Sequence, residues 1–380
     1  MNSYLFQILR NRFDVTLERL DDLVGAHDSF FGSHEYLDLA RQHFSGRINE
    51  ITDSIDSGEP IFLTYIFHTV IGALLLTDEL DGQKRSGLLK YIQNLHDDLG
   101  GYLPIHRSYI ERFPKLGASP NTPMVPEIYA SYYGFWGERL LGHHHGESEI
   151  DGLLTWLLAC QQASGLIYNR VYSNTVENRR FESEKTAQLY YAVELLIDLK
   201  SSLGDPETET EISLDDARDW VMANFAGLKT VTGRYFALKA LLRLAPDEVC
   251  SIGIEELRGF LKDRLSSEAD GYYDYRLIDK IDESMSSRSL VAEDVNTSHV
   301  FGTYYALAMQ WVIDVICGGT SEIPVEAIRT LIKQARNDDG GFGRHVKIKA
   351  FPTPFGPNTT DLETLLVALM PLFWVTPAQG

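Results

Sequence analysis

EAIRTLIKQARND (Glu326–Asp338) runs into Asp339-Gly340-Gly341-Phe342-Gly343, a proline-rich connector follows, and TTDLETLLVALMPLF (Thr359–Phe373) leads to Trp374. The unit reads as helix, Gly-Gly-aromatic turn, loop, and a second helix begun at Asp361. One such unit carries little, but the same grammar recurs upstream, with glycines between helical runs at Gly58, Gly101, Gly165, Gly233, Gly271 and Gly341. LLKYIQNLHDDLGGYLP precedes PEIYASYYGFWGERLL, and LLTWLLACQQASGLIYN precedes EKTAQLYYAVELLIDL. ARDWVMANFAGLKTVTGR leads to YFALKALLRL, and IEELRGFLKDRLSSEADGYYDY to NTSHVFGTYYALAMQWV. The Gly58 unit, with FLTYIFHTVIGALLL as its second helix, is the least regular.

Apolar residues inside these runs recur at steps of three and four, as at Leu189, Val193, Leu196 and Ile197, which predicts helices. Glycine suits the reversal at a helix C-terminus because it tolerates positive φ. Asp, Thr or Asn near the next start can cap free N–H groups. Six helix pairs that cannot each bury an apolar face alone must stack. The expected fold is all-α, an (α/α)6 toroid of about six pairs, although an open solenoid obeys the same local rules. The first helix of each pair is more charged and is expected outside; the second, richer in aromatics, is expected inside. Residues 1–45 read as an N-terminal helical extension and 46–380 as one toroid domain.

Composition narrows the partners. The 380 residues are 44% hydrophobic, enough for a sizeable core, and the formal net charge is −20. Such a field repels nucleic acid and anionic membrane surfaces. Cys160, Cys250 and Cys317 are odd in number and widely spaced, which predicts no disulfide framework and a reducing compartment. The amphipathic start MNSYLFQILRNRFDVTLERLDD has no secretory apolar core. No apolar run reaches the roughly 20 residues a membrane span needs. The expectation is a cytoplasmic protein with no integral membrane segment, its oligomeric state left open.

The turn-and-helix grammar resembles the prenyltransferase and squalene-cyclase repeat family over roughly residues 50–375, most sharply in DDGGFG and the Asp-Leu-Glu-Thr that follows. The resemblance implies an (α/α)6 barrel around a central, aromatic-lined cavity for isoprenoid chains. Glu182-Ser-Glu184-Lys-Thr186-Ala187 is similar to the Asp-X-Asp-Asp-Thr-Ala box of class II terpene cyclases, whose central acid protonates an alkene or epoxide. Glu184 falls at the central position and Glu182 at the first; Lys185 stands where the last Asp would be. Such a donor needs a carboxylic acid kept protonated in a water-poor cavity. The other reading is a charged first helical turn, where the dipole favours Glu.

Glu293-Asp294-Val295-Asn296-Thr297-Ser298-His299 resembles the same box more loosely, with Asp294 as acid and His299 as its hydrogen-bonding partner; the other reading is an N-cap with a surface His. Asp361-Leu362-Glu363-Thr364 sits where protein prenyltransferases place the Asp-X-Cys half of a zinc site. Glu363 occupies the Cys position, which removes the thiolate and argues against protein farnesylation.

Aromatics crowd the second helices: Tyr129, Tyr132, Tyr133, Phe135 and Trp136; Tyr190 and Tyr191; Tyr235 and Phe236; Phe301, Tyr304 and Tyr305. Their faces can stabilise a passing carbocation, and they can equally fill a core. His143-His144-His145 could touch a metal, but adjacent residues diverge on a helix, and Gly142 and Gly146 mark a flexible loop instead. No metal ligand set is expected. Asp97-Asp98 and Asp215-Asp216 lack the DDxxD spacing of class I isoprenoid enzymes. No Gly-rich phosphate loop, G-x-S-x-G elbow or HExxH is present.

The functional expectation is a class II terpene cyclase-like isomerase or lyase acting on a small isoprenoid. Glu184 or Asp294 starts the cyclisation, Glu182 and Asp361 are further acids, and the rings guide the cation. No cofactor is required, and Mg²⁺ would matter only for a diphosphate substrate. The alternatives are a non-catalytic toroid that binds a lipid or protein, and a prenyl-donor transferase on the same fold.

Overall fold

Among the described residues the helical periodicity becomes helices. A computed structural model describes residues 4, 7, 35–76, 80–106, 125–169, 178–203, 214–265, 272 and 300–318. Among them all regular structure is helical, apart from three isolated bridges. In order these are α1 (Glu35–Asp56), α2 (Leu63–Leu76), α3 (Gly82–Gln93), α4 (Ile128–Leu140), α5 (Glu147–Ala159) and α6 (Asn178–Leu203). Then come α7 (Leu214–Asn224), α8 (Val231–Leu244), α9 (Ile254–Arg264) and α10 (Val300–Trp311). The unit that begins at Glu326 lies outside the described residues, as does Gly271. None of the described helices is long and apolar enough to cross a membrane.

The helices alternate in character. On α3 only Leu88 and Ile92 are buried, and on α9 only Leu257, Leu261 and Arg264, so each buries one stripe. The helix after each differs: α4 buries every residue from Ala130 to Glu138 and α10 every residue from Gly302 to Gln310. A helix buried on all sides belongs to the core, and an amphipathic one to its surface. The expected division into more exposed first helices and buried second helices therefore holds for these pairs.

Two turns share one hydrogen-bonded form, and a third shares its bridge. Between α3 and α4, His96 bridges Tyr102, the Asp97 N–H donates to Gly101 O at 2.8 Å, and the Gly100 N–H donates to Asp97 O at 2.9 Å. Between α5 and α6, Gln161 bridges Ile167, Gln162 N–H donates to Leu166 O at 2.8 Å, and Gly165 N–H donates to Gln162 O at 2.9 Å. Leu265 bridges Tyr272 between α9 and α10. Gly100 (φ 101°) and Gly165 (φ 82°) are left-handed, a conformation that costs an L side chain. A hydroxyl on the following helix latches two of these turns: Ser131 Oγ accepts from Tyr102 N–H and Thr303 Oγ1 from Tyr272 N–H, each at 2.9 Å.

The α7–α8 turn departs from this pattern. Gly233, expected in the turn, lies in the first turn of α8, where its N–H donates to the capping Thr230 hydroxyl at 2.9 Å. Arginines hold the turn's carbonyls instead. Arg234 donates to Leu228 O (3.0 Å) and Ala226 O (2.6 Å), and Arg264 to Lys229 O (3.2 Å). Phe260 stacks beneath both guanidinium groups, 3.9 and 4.6 Å from its centroid.

The chain divides into two compact units: Met1–Leu17, Ala40–Asn174 and Gln188–Ala217 in the first, and Glu18–Leu39, Thr175–Ala187 and Arg218–Gly380 in the second. Within the first, α2 and α3 both pack on α4; within the second, α8 packs on α10. That last pairing overturns one expectation. Cys250, in the 3₁₀ turn after α8, and Cys317, just past α10, form a disulfide. They are 67 residues apart in sequence, so no spacing motif announced them. The helices they follow lie side by side, which brings the thiols together, and the cysteine argument for a reducing compartment lapses. Cys160 is a buried thiol whose burial pushes its pKa up to about 12, too high for a thiolate nucleophile at neutral pH.

Candidate functional site

The second helices place aromatic pairs in matching registers, Ser131-Tyr132-Tyr133 on α4 and Thr303-Tyr304-Tyr305 on α10, each pair directly after its latching hydroxyl. In the first unit Tyr133, Tyr191 and Phe67 converge. The Tyr133 hydroxyl donates to that of Tyr191 at 3.3 Å, and the Phe67 and Tyr133 rings lie 4.9 Å apart. Tyr132 and Tyr190 pack on Tyr191 at 5.0 and 5.2 Å. In the second unit Tyr235 stacks on Tyr305 at 4.4 Å and 20°, with Phe236 and Tyr304 beside them. These residues, with Trp136, are all buried, at most 8% exposed. Within each unit they form ring-on-ring clusters.

Of the expected acids, Asp294 and Asp361 fall outside the described residues, while Glu182 and Phe301 lie on α6 and α10 with side chains that are not described. Glu184 is half-buried. Helix α6 starts at Asn178, so Glu182 and Glu184 lie beyond its first turn, and the expected dipole explanation fails because that effect fades within one turn. The helical period puts Glu184, Gln188 and Tyr191 along one stripe, at i, i+4 and i+7. Asp97 is buried and belongs to the α3–α4 turn, its carboxylate accepting from Leu99 N–H at 2.9 Å.

A second constellation, in the first unit, gathers two of the three histidines that the sequence reading assigned to a loop rather than to a metal. Helix α4 ends in a Schellman turn: Gly142 (φ 91°) N–H donates to Arg139 O at 3.0 Å, and His143 N–H to Glu138 O at 2.9 Å. The next helix, α5, is held at its start by Glu149, whose carboxylate accepts from Gly146 N–H at 2.7 Å. The three histidines between these anchors lie in neither helix nor strand, as expected of a loop, yet the first and third rings meet, 4.8 Å apart. His143 and His145 turn towards the same carboxylate. Glu138 Oε2 stands 3.1 Å from His145 Nε2 and 3.5 Å from His143 Nε2. His144 is directed elsewhere, its Nδ1 3.4 Å from the Tyr4 hydroxyl.

The cluster is enclosed. Glu138 is 2% exposed, and the His145 ring stacks on Phe135 at 4.6 Å. Tyr102, the aromatic of a Gly-Gly-aromatic turn, donates its hydroxyl to Glu138 Oε1 at 3.1 Å. Burial, then the Glu138 charge, holds that phenol well above the usual range, so it stays a donor. Burial alone would raise the Glu149 carboxyl, but the Gly146 N–H, with His143 and His145 nearby, outweighs it and holds the group below its ordinary value. A pocket of about 240 Å³ opens here, lined by His96, Tyr102, Phe135, Glu138, His145 and Ile150 among others. One ligand atom from each of Glu138, His143 and His145 lies within 4.8 Å of the others. The signal in the sequence was the His-X-His alternation after a helix-ending glycine, with Glu five residues before the first His.

Comparison with models of known protein families finds no match, and comparison with curated proteins finds none either.

Proposed function

We propose that this protein is an isoprenoid cyclase whose helix pairs close into an (α/α)6 toroid. The position of Glu184 carries the reading: a half-buried acid on α6, beyond the first helical turn and on one stripe with Tyr191. In this mechanism the neutral Glu184 carboxyl gives its proton to the terminal alkene carbon of a polyprenyl chain. The resulting tertiary cation is attacked by the next double bond, and loss of a proton from carbon ends the cascade. Atoms balance, the product is an isomer of the substrate, and no redox cofactor enters. The repeated aromatic pairs support the reading because ring faces stabilise developing cations. Asp294 is the alternative acid, and Mg²⁺ enters only with a diphosphate substrate.

One observation favours a second reading. The rings pack on one another, almost fully buried, which suits a toroid that binds a lipid or partner without chemistry. Incubating the purified chain with polyprenes, their epoxides and diphosphates, with Mg²⁺ or EDTA, separates the two. The cyclase account expects a product of unchanged mass that is lost in Glu184→Gln or in Asp294→Asn. No turnover across the panel by folded protein would overturn it and leave binding.

A further inference from the structure

We infer that Glu138, His143 and His145 form a binding site for a divalent transition cation, zinc in the first instance. Two imidazoles and one carboxylate suit zinc and its neighbours, whereas magnesium and calcium prefer all-oxygen shells. Two of the three spacings are close to those of a filled site, and all three ligand atoms lie within 4.8 Å of one another. Ligand atoms about 2.0–2.1 Å from a tetrahedral zinc stand roughly 3.3 Å from one another. Glu138 Oε2 already lies 3.1 and 3.5 Å from the two imidazole nitrogens.

The surroundings hold these ligands in place. Tyr102 occupies Oε1 of Glu138 and so leaves Oε2 to face the histidines, the kind of outer hydrogen bond that orients a metal carboxylate. Phe135 fixes the plane of the His145 ring, and the Schellman turn fixes the backbone of His143 relative to Glu138. Two nitrogens of the cluster, His143 Nε2 and His145 Nδ1, are buried without a hydrogen-bond partner. A buried polar atom left so is costly, and coordination at His143 Nε2 would relieve that cost. Three protein ligands leave a fourth position, which the 240 Å³ pocket can supply with water or an oxygen of a small polar ligand. The site is separate from the cyclase acid and does not depend on that reading.

The test uses the full chain without an affinity tag, stripped with a chelator and dialysed. Co²⁺ is titrated in and the visible d–d bands recorded, then displaced with Zn²⁺, and zinc stoichiometry is measured by elemental analysis. One equivalent bound at micromolar or tighter affinity is expected. Affinity should fall at least tenfold in Glu138→Gln and in His145→Ala, and stay unchanged in His144→Ala, whose ring points away. If Glu138→Gln loses its helical circular dichroism, the more exposed His143→Ala decides by the same criterion. No stoichiometric uptake, or equal affinity in the folded ligand variants, would overturn the inference.

Discussion

At Gly100 the backbone takes φ 101°, and a Cβ built there would stand 2.5 Å from Gly152 O of α5. Two costs coincide: the left-handed conformation, about 1 kcal/mol, and a contact that backbone cannot easily yield. Gly100→Ala is therefore expected to destabilise the fold by about 2–3 kcal/mol, read as a lower urea midpoint, whereas Gly87→Ala, at a helical position with open space around it, should be neutral or slightly stabilising. Equal effects at both sites would remove the turn's special standing. Gly58 and Gly165 were legible because positive φ has a residue signature, whereas at Gly100-Gly101 the left-handed residue is the first and not the Gly101 singled out. The histidines were not legible, because their meaning depends on chain direction: on a helix three adjacent residues diverge, and in this loop the first and third converge. Nothing in Gly142-His143-His144-His145-Gly146 alone decides between those conformations.

Among elements, the α7–α8 turn shows how one repeat keeps its shape without the left-handed glycine. Arg234, 4% exposed, satisfies two turn carbonyls and stacks on Phe260. Removing it leaves those acceptors unpaired, a loss of about 2–4 kcal/mol. Arg234→Ala should lower the unfolding midpoint accordingly, and Arg234→Lys should recover only part of it, since an ammonium cannot repeat the guanidinium's geometry. A neutral Arg234→Ala would show that the turn stands without its arginines. The sequence placed a glycine, Gly233, in this turn by analogy with its neighbours. The capping threonine three residues earlier claims that glycine for the helix, and an arginine's reach across a turn leaves no periodic trace. The helix pairs themselves were legible, because burial on one stripe or on all sides follows directly from the spacing of apolar residues.

For the whole molecule, the Cys250–Cys317 bond ties positions 67 residues apart within the second unit. Closing a loop of that length stabilises by about 2–4 kcal/mol. The unreduced chain should weigh two hydrogens less than the reduced one, and reduction should lower its melting temperature; free thiols at both positions would remove the tie. The larger claim is that the repeats serve a cation cascade begun by a protein acid. Its most direct test is to run the reaction in D₂O with a polyprene substrate and weigh the product. A protonation-initiated cyclase draws the added hydron from solvent-exchanged Glu184, so the cyclic isomer should gain one deuterium, and Glu184→Gln should form none. A cyclic product without deuterium, or with deuterium undiminished in Glu184→Gln, would contradict the account.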